Sequence, residues 1–371
     1  MQALLVLLFA AVAQCSLAPF YQVKPNIPGQ YIVVLEDGID VGSFAATMQT
    51  GTVRRTLTGL INGVVLTLDG DLLEKVRSLT GISYIEEDGL VTMLGSRTGS
   101  NYWGLDRIDE RYLPLDGNIN FSGTGSGANV FVLDTGITYS HEDFSNNRAN
   151  QFYDYENGDG ADCHGHGTHC AGTVGGQYSG VATSANIYSV RVLSCTGSGS
   201  YSNIIAGVNA VAESSMSNKI ASMSIGGGSS WSLNNAVANA HDAGVVVVAA
   251  AGNSYSDACN YSPASAPDAI TVGATGSTDS RPLFSNYGSC VDIFAPGVGI
   301  NSAQYDTSSS YTQMSGTSMA CPAVAGAAAV ILGNNSGYSP TQVASKLVSD
   351  ATSGVLSNTG SGSPNLLLYV A

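Results

Sequence analysis

The chain has 371 residues, of which 44% are hydrophobic and only 11% charged, a composition that calls for a large buried core and excludes disorder. Its formal charge is −15, from 28 acidic and 13 basic side chains, and no basic stripe is present to neutralise phosphates, which argues against nucleic-acid binding. From Gly95 onward 19 acidic residues face 8 basic ones, so the acidity belongs mainly to the C-terminal part.

At the N-terminus the apolar run Ala3–Ala13 is followed by small residues, and residues 1–18 read as a secretory signal peptide, although no Lys or Arg precedes the run. The run is too short to span a bilayer. The later stretch "MACPAVAGAAAVIL" is Ala/Gly-rich and reads as a buried core helix. The expectation is a secreted, extracellular, soluble protein without a membrane partner. Residues 29–94 read as a small α/β unit. Its strand candidates are "YIVVLEDG", "INGVVLTLDG" and "ISYIEEDGLVTML", and Leu72, Leu73, Val76 and Leu79 line one face of a helix between Asp71 and Leu79. Asp71 with Glu74 resembles a capping box. Residues 95–102, "GSRTGSNY", are a polar linker, and residues 103–371 form a second unit.

In that second unit short apolar runs recur as "NVFVLD", "NIYSVRVL", "IASMSI", "GVVVVAAAG" and "AITVGA". Several lack polar alternation, as strands buried on both faces of a parallel sheet do. Helical segments at 202–213 and 233–243 separate them. The fold class is therefore α/β, a mainly parallel sheet covered by helices on both faces, with active-site residues gathered at the carboxyl ends of strands.

Three stretches carry chemistry. "NVFVLDTG" runs a buried strand into Asp134, which is either a turn residue or a carboxylate presented at the sheet edge. "ADCHGHGTHC" holds His164, His166, His169, Cys163 and Cys170 within ten residues, which fits a metal cluster or one catalytic histidine at the start of a helix. "SGTSMACPAVAGAAAVIL" places Ser318 at the opening of a long helix, as an N-cap or as a nucleophile. A serine hydroxyl needs a base within hydrogen-bond reach, histidine titrates where a base is useful, and a carboxylate fixes its tautomer. No H-E-x-x-H pattern supports zinc, and a zinc site would leave Asp134 and Ser318 without roles.

The order Asp, His, Ser, with "VLDTG", "GHGTHCAGT", "SIGGG", "AAAGN", "NYSPAS", "FSNYG" and "GTSMACP", resembles the subtilisin-like serine proteases from about Trp103 to the C-terminus. Among them the proteinase K branch is the nearest. The resemblance implies a serine endopeptidase with Ser318 as nucleophile, His166 as general base and Asp134 orienting the imidazole. Asn253 and the Ser318 N–H would form the oxyanion hole. Substrate would be held by Gly197, Ser198 and Tyr201 on one side. Ser224, Ile225, Gly226, Gly227 and Gly228, with Ala250, Ala251 and Gly252, would wall the primary pocket. That pocket contains no acid, so apolar or aromatic residues are expected ahead of the scissile bond. One departure stands out: Ala323 replaces the family's usual histidine after the proline.

Six cysteines remain once Cys15 leaves with the signal peptide, and 15 full pairings exist. Aqualysin-like members imply Cys163 with Cys195 and Cys259 with Cys290, leaving Cys170 and Cys321. The family implies no cofactor for catalysis but a structural Ca2+ held by Asp292 with carbonyls of Pro267 and Ala269. Residues 29–94 resemble the family's ferredoxin-like inhibitory pro-domain, with self-cleavage near Leu94–Gly95 and the pro-domain as an intramolecular partner. Protein or peptide substrates and a monomeric state complete the expectation. A catalytically inactive binding protein with this fold, or a metallohydrolase, are the alternatives. Sequons stand at Asn120, Asn260 and Asn334.

Overall fold

The computed structural model describes residues 17–48, 51–69, 72–93, 96–97 and 102–370. Most of the signal peptide and both residues of the Leu94–Gly95 bond lie outside these.

The larger region is built on a nine-stranded sheet. From one edge it runs Thr352–Ser353, Leu366–Leu367, Ile293–Pro296, Ala269–Thr275, Val245–Ala250, Lys219–Met223, Asn129–Asp134, Asn186–Arg191 and Ala149–Asp154. All neighbours are parallel except the outermost pair, Thr352–Ser353 with Leu366–Leu367. Side chains alternate along each strand. Val130 and Val132 enter the core beneath helices His166–Gly175 and Thr317–Asn334, whereas Phe131 and Leu133 enter the core beneath Tyr201–Glu213 and Trp231–Asp242. The unbroken apolar run of Val245–Ala250 divides the same way. A strand read from both sides cannot show polar alternation, which is why these segments look uniformly apolar in sequence.

Helix Thr317–Asn334 is long and apolar enough to cross a membrane, yet 83% of it is buried inside the molecule. Its small residues let it lie close against helix His166–Gly175. A Cβ at Gly326 would fall 2.6 Å from the Val174 carbonyl oxygen, so only glycine fits there.

The smaller region follows a β-α-β-β-α-β course: Asn26–Leu35, Val41–Thr47, Thr52–Leu57, Gly63–Thr67, Leu73–Arg77 and Ile82–Met93. The fourth strand lies beside the first, then the third, then the second, all antiparallel, a ferredoxin-like order. Helix Val41–Thr47, capped by Asp40 accepting from the Ser43 N–H at 2.7 Å, and strand Thr52–Leu57 were not anticipated from sequence. The second helix is shorter than its apolar spacing implies. It starts after Leu72, which makes no side-chain cap, and Leu79 lies beyond its end, 43% exposed. Asp71 of the expected capping box lies outside the described residues.

The two regions share a core. Ile32, Val34 and Val65 of the small sheet pack with Ile204, Val208 and Val237 of the large region's helices. Two fully buried carboxylates of strand Ile82–Met93 complete the contact. Glu86 accepts from the Trp231 and Ser232 N–H groups at 3.0 and 2.9 Å, and Asp88 accepts from the Ser202 N–H at 3.2 Å and its hydroxyl at 2.6 Å. Each thereby serves the orphan donors at one helix start. Burial raises the pKa of both above the ordinary carboxylate range, the hydrogen bonds opposing it only in part.

Candidate active site

Asp134 ends strand Asn129–Asp134, whose neighbours Lys219–Met223 and Asn186–Arg191 lead the chain in opposite directions across the sheet. That topological switch opens a crevice at the strands' carboxyl ends. His166 starts its helix directly above. Gly165 caps it at φ 107°, and a Cβ on Gly167 would lie 2.2 Å from the Gly136 carbonyl oxygen, so glycines on either side let the histidine approach the turn after Asp134. His166 Nδ1 donates to both Asp134 carboxylate oxygens, at 2.8 and 2.9 Å, and both side chains are fully buried. Burial alone pulls the His166 pKa down. The Asp134 carboxylate and Cys170 together outweigh it and hold the imidazole well above its ordinary value. Nε2, on the other side of the ring, has no hydrogen-bond partner.

Ser318 is the second residue of helix Thr317–Asn334, and its Oγ donates to the Ser224 carbonyl at 3.1 Å. Cys170 ties the two helix starts together: its Sγ lies 3.9 Å from His166 Nδ1 and 3.5 Å from the Ser318 carbonyl oxygen. The Asn253 side-chain oxygen accepts from the Thr317 N–H at 3.0 Å and the Thr317 hydroxyl at 2.9 Å. A backbone N–H can bond only the oxygen end of the amide, so the amide nitrogen is left as a donor.

The expected pocket wall is assembled. Gly226–Gly228 and Ala250–Gly252, with Asn253 and Tyr261, line a cavity of about 230 Å³ without an acidic side chain, to which the smaller region contributes Lys24, Pro25 and Leu90. Ser224 and Ile225 lie deeper, both buried, with the Ser224 hydroxyl donating to the Ser318 carbonyl at 2.8 Å.

The opposite wall departs from expectation in detail. Gly197 is a turn residue at φ 73° and Tyr201 begins a helix, fully buried, so the pairing strand is Ser198–Ser200. Gly199 and Ser200 were therefore missed, because three residues between a turn and a cap carry no strand signature. The end of strand Ile82–Met93 fills the crevice. Leu90, Val91 and Thr92 pair antiparallel with Ser200, Gly199 and Ser198, while Thr92 and Met93 pair antiparallel with Gly226 and Ile225. Beyond it, Ser96 and Arg97 pair antiparallel with Ser315 and Met314, the residues just before the Ser318 helix.

Of the other histidine and cysteine residues of "ADCHGHGTHC", only Cys170 comes within 4.8 Å of Asp134 and His166, a group of possible metal ligands. Cys163 is disulfide-bonded to Cys195, and His169 Nε2 faces the Ile300 and Thr312 carbonyls at 2.9 and 3.1 Å. Cys259 is bonded to Cys290, and Cys170 and Cys321 are buried free thiols. Each bridge closes a loop of about 30 residues and contributes roughly 3–4 kcal/mol on the chain-entropy account.

At the expected calcium position, Asp292 accepts from the Thr271 N–H at 2.8 Å and lines a cavity with Pro267, Asp268 and Ala269. Burial raises its pKa, and no basic side chain pairs with it among the described residues. A carboxylate without a basic ion-pair partner suits a hard cation, with His241 and apolar side chains lining the rest of the cavity. A second oxygen-rich group, Asp106, Glu110 and Asp116, brings carboxylates within 4.8 Å of one another. The four-residue spacing of Asp106 and Glu110 was its signal in sequence.

A buried Asp–His pair and a serine at a helix start thus stand on a parallel sheet covered on both faces. Residues 125–365 match the subtilase family model. The chain is 45% identical over 369 residues to the "Extracellular serine proteinase" of Thermus sp. (strain Rt41A), covering 92% of this chain and 90% of that protein. It is 39% identical over 371 residues to the "Cuticle-degrading serine protease" of Arthrobotrys oligospora, covering 92% and 90%. The crystal structure of a cold adapted subtilisin-like serine proteinase superposes with a TM-score of 0.71 at 51% identity, covering 72% of this chain and 98% of that one. The chain belongs to the subtilase family of serine proteases.

Proposed function

We propose that this protein is a secreted, monomeric serine endopeptidase, made as a zymogen that cleaves itself near Leu94–Gly95. The observation that carries the reading is the bond from His166 Nδ1 to Asp134, which leaves Nε2 bare beside the helix that holds Ser318. A donor at Nδ1 fixes the neutral ring as the tautomer whose Nε2 accepts a proton. Ser318 Oγ, now bonded to Ser224, turns to Nε2 when a carbonyl enters, since such bonds are commonly incomplete before substrate binds. Attack yields a tetrahedral oxyanion facing the Asn253 amide and the Ser318 N–H, and His166 passes the proton to the leaving amine. A water then repeats the sequence on the acyl-enzyme.

Substrate binds as an added strand between Ser198–Ser200 and Ile225–Gly228, which favours backbone recognition over strict sequence. The acid-free cavity at Gly226–Gly228 and Ala250–Gly252 favours apolar or aromatic residues ahead of the scissile bond. Residues 29–94 act as the inhibitory pro-domain. In support, Leu90–Met93 and Ser96–Arg97 pair with the two sides of the crevice, bracketing the bond to be cut. Calcium, held by Asp292 with Pro267 and Ala269, stabilises the fold without taking part in the chemistry.

The test is intact mass and N-terminal sequence of wild type beside Ser318→Ala. Wild type is expected to start near Gly95 and the variant to retain residues 29–94. If both are trimmed alike, self-cleavage is wrong; if neither is trimmed, the protease reading itself fails. In a chelator arm, a serine-directed inhibitor stops activity at once while chelator causes only slow loss. Immediate loss in chelator would contradict a purely structural calcium.

A further inference from the structure

Strand Tyr311–Ser315 pairs along one edge with Ile300–Ala303, from Tyr311 to Met314. Along its other edge, among the described residues, only Ser315 and Met314 are paired, by Ser96 and Arg97. Among the described residues no strand lies beside Tyr311, Thr312 and Gln313 on this edge, and unpaired edges accept added strands. The segment that already sits on this edge is peptide from this chain, entering from the crevice next to Ser318. Around Tyr311 three further rings gather edge-on: Tyr102 at 6.4 Å, His141 at 5.2 Å and Tyr178 at 6.4 Å between centroids. Tyr178 is 59% exposed, a large aromatic side chain left in water beside this edge. The Tyr311 hydroxyl donates to Glu142 at 3.3 Å, which puts a negative charge at the same end.

We infer that the cleft continues along this edge as an extended subsite for the part of a protein substrate that follows the scissile bond, ending in an aromatic wall formed by Tyr311 and Tyr178. The register decides which substrate residue meets the wall. With Ser96 opposite Ser315 and Arg97 opposite Met314, an antiparallel peptide sets the residue three beyond the Arg97 position opposite Tyr311. Counted from cleavage after Leu94, that is the sixth residue past the scissile bond. Directly opposed residues of an antiparallel pair project to the same face, so its side chain stands beside the Tyr311 ring. An aromatic residue gains offset or edge contacts there, and an acidic one meets Glu142. The inference deepens the proposed endopeptidase function: long, extended chains are preferred over short peptides.

The experiment compares kcat/KM of the processed enzyme on quenched fluorescent peptides that all carry Val-Thr-Met-Leu before the scissile bond. One ends two residues after that bond; two others continue for six, the last being Phe or Asp. Phe is expected to exceed Asp by about fivefold, chiefly through KM, the size of one aromatic contact. Tyr178→Ala should bring the Phe/Asp ratio close to one, and Tyr178→Phe should restore it. The ratio cancels any effect on the reacting groups. If neither the short nor the long peptides are cut, the protease reading falls and this one with it. A short peptide cut, with Phe and Asp equal, or with the preference intact in Tyr178→Ala, would overturn the extended subsite alone.

Discussion

In the larger region each central strand feeds two cores, one its own around Val130 and Val132 and one around Phe131 and Leu133 that the smaller region joins. The smaller region owns only one. Val33, Leu35, Val64 and Leu66 pack under its two short helices, while Ile32, Val34 and Val65 on the reverse face are buried only because the other region's helices cover them. Its last strand is likewise completed by borrowed partners at Ser198–Ser200 and Ile225–Gly226. A sheet of this size buries too little by itself to be robust, so docking and folding of the small region are linked.

The sharpest break in the comparison comes from the larger region's chemistry, which rests on groups the smaller one merely covers. Asn253→Ala removes the donor amide while leaving both cores intact. It is expected to lower kcat about 10²–10³-fold with little change in KM, a magnitude measured on the equivalent residue of subtilisin, itself a member of this family. Kinetics on a short apolar substrate would check it. A fall in KM-dependent binding alone would remove Asn253 from the oxyanion role.

A smaller effect tests the dependence of the small region. Glu86→Ala orphans the Trp231 and Ser232 N–H groups, a loss of about 1–2 kcal/mol of docking free energy. Tyr21 stacks on Trp231 at 6.1 Å, so tryptophan fluorescence reports undocking. In the uncleaved Ser318→Ala protein, the urea midpoint of that signal should fall with Glu86→Ala. An unchanged midpoint would mean that the carboxylate does not hold the regions together. The raised pKa values of Glu86 and Asp88 carry a sign: the docked state binds protons more tightly, so their contribution is fully present below the ordinary carboxylate pKa and is lost as pH rises through the raised one.

The mildest change is in pH dependence. An imidazole acts as a base only when neutral, and the Asp134 carboxylate and Cys170 hold the proton on His166 against the opposing effect of burial. The acid limb of kcat/KM should therefore lie above about 6.5, where an exposed histidine titrates. An acid limb at or below that value in wild type would contradict the electrostatic hold of Asp134.

Much of this was legible before any coordinates. Apolar runs at 129–134 and 245–250 announced strands buried on both faces, and helices at 201–213 and 231–242 fell within two residues of their expected bounds at each end. The Asp, His and Ser motifs were conspicuous because glycines flanked each of them. Strand Thr52–Leu57 was less visible, since "TVRRTL" alternates with basic side chains and half its residues stay exposed. The three-residue strand Ser198–Ser200 was invisible for a different reason: its pairing lies with a segment more than a hundred residues earlier in the chain.

Local order, then, was determined by the sequence: which segments are apolar on both faces, where glycine permits a close approach, and which side chains carry chemistry. Such properties depend on residues within a turn or two of one another. Only the tertiary structure decided that Asp134 reaches His166, that Thr317 orients the Asn253 amide, that Glu86 and Asp88 cap helices of the other region, and that Ser96 and Arg97 pair with the strand edge running on to Tyr311. These are contacts between distant segments, set by strand order and packing, and no local pattern encodes which edge or which helix start will be facing.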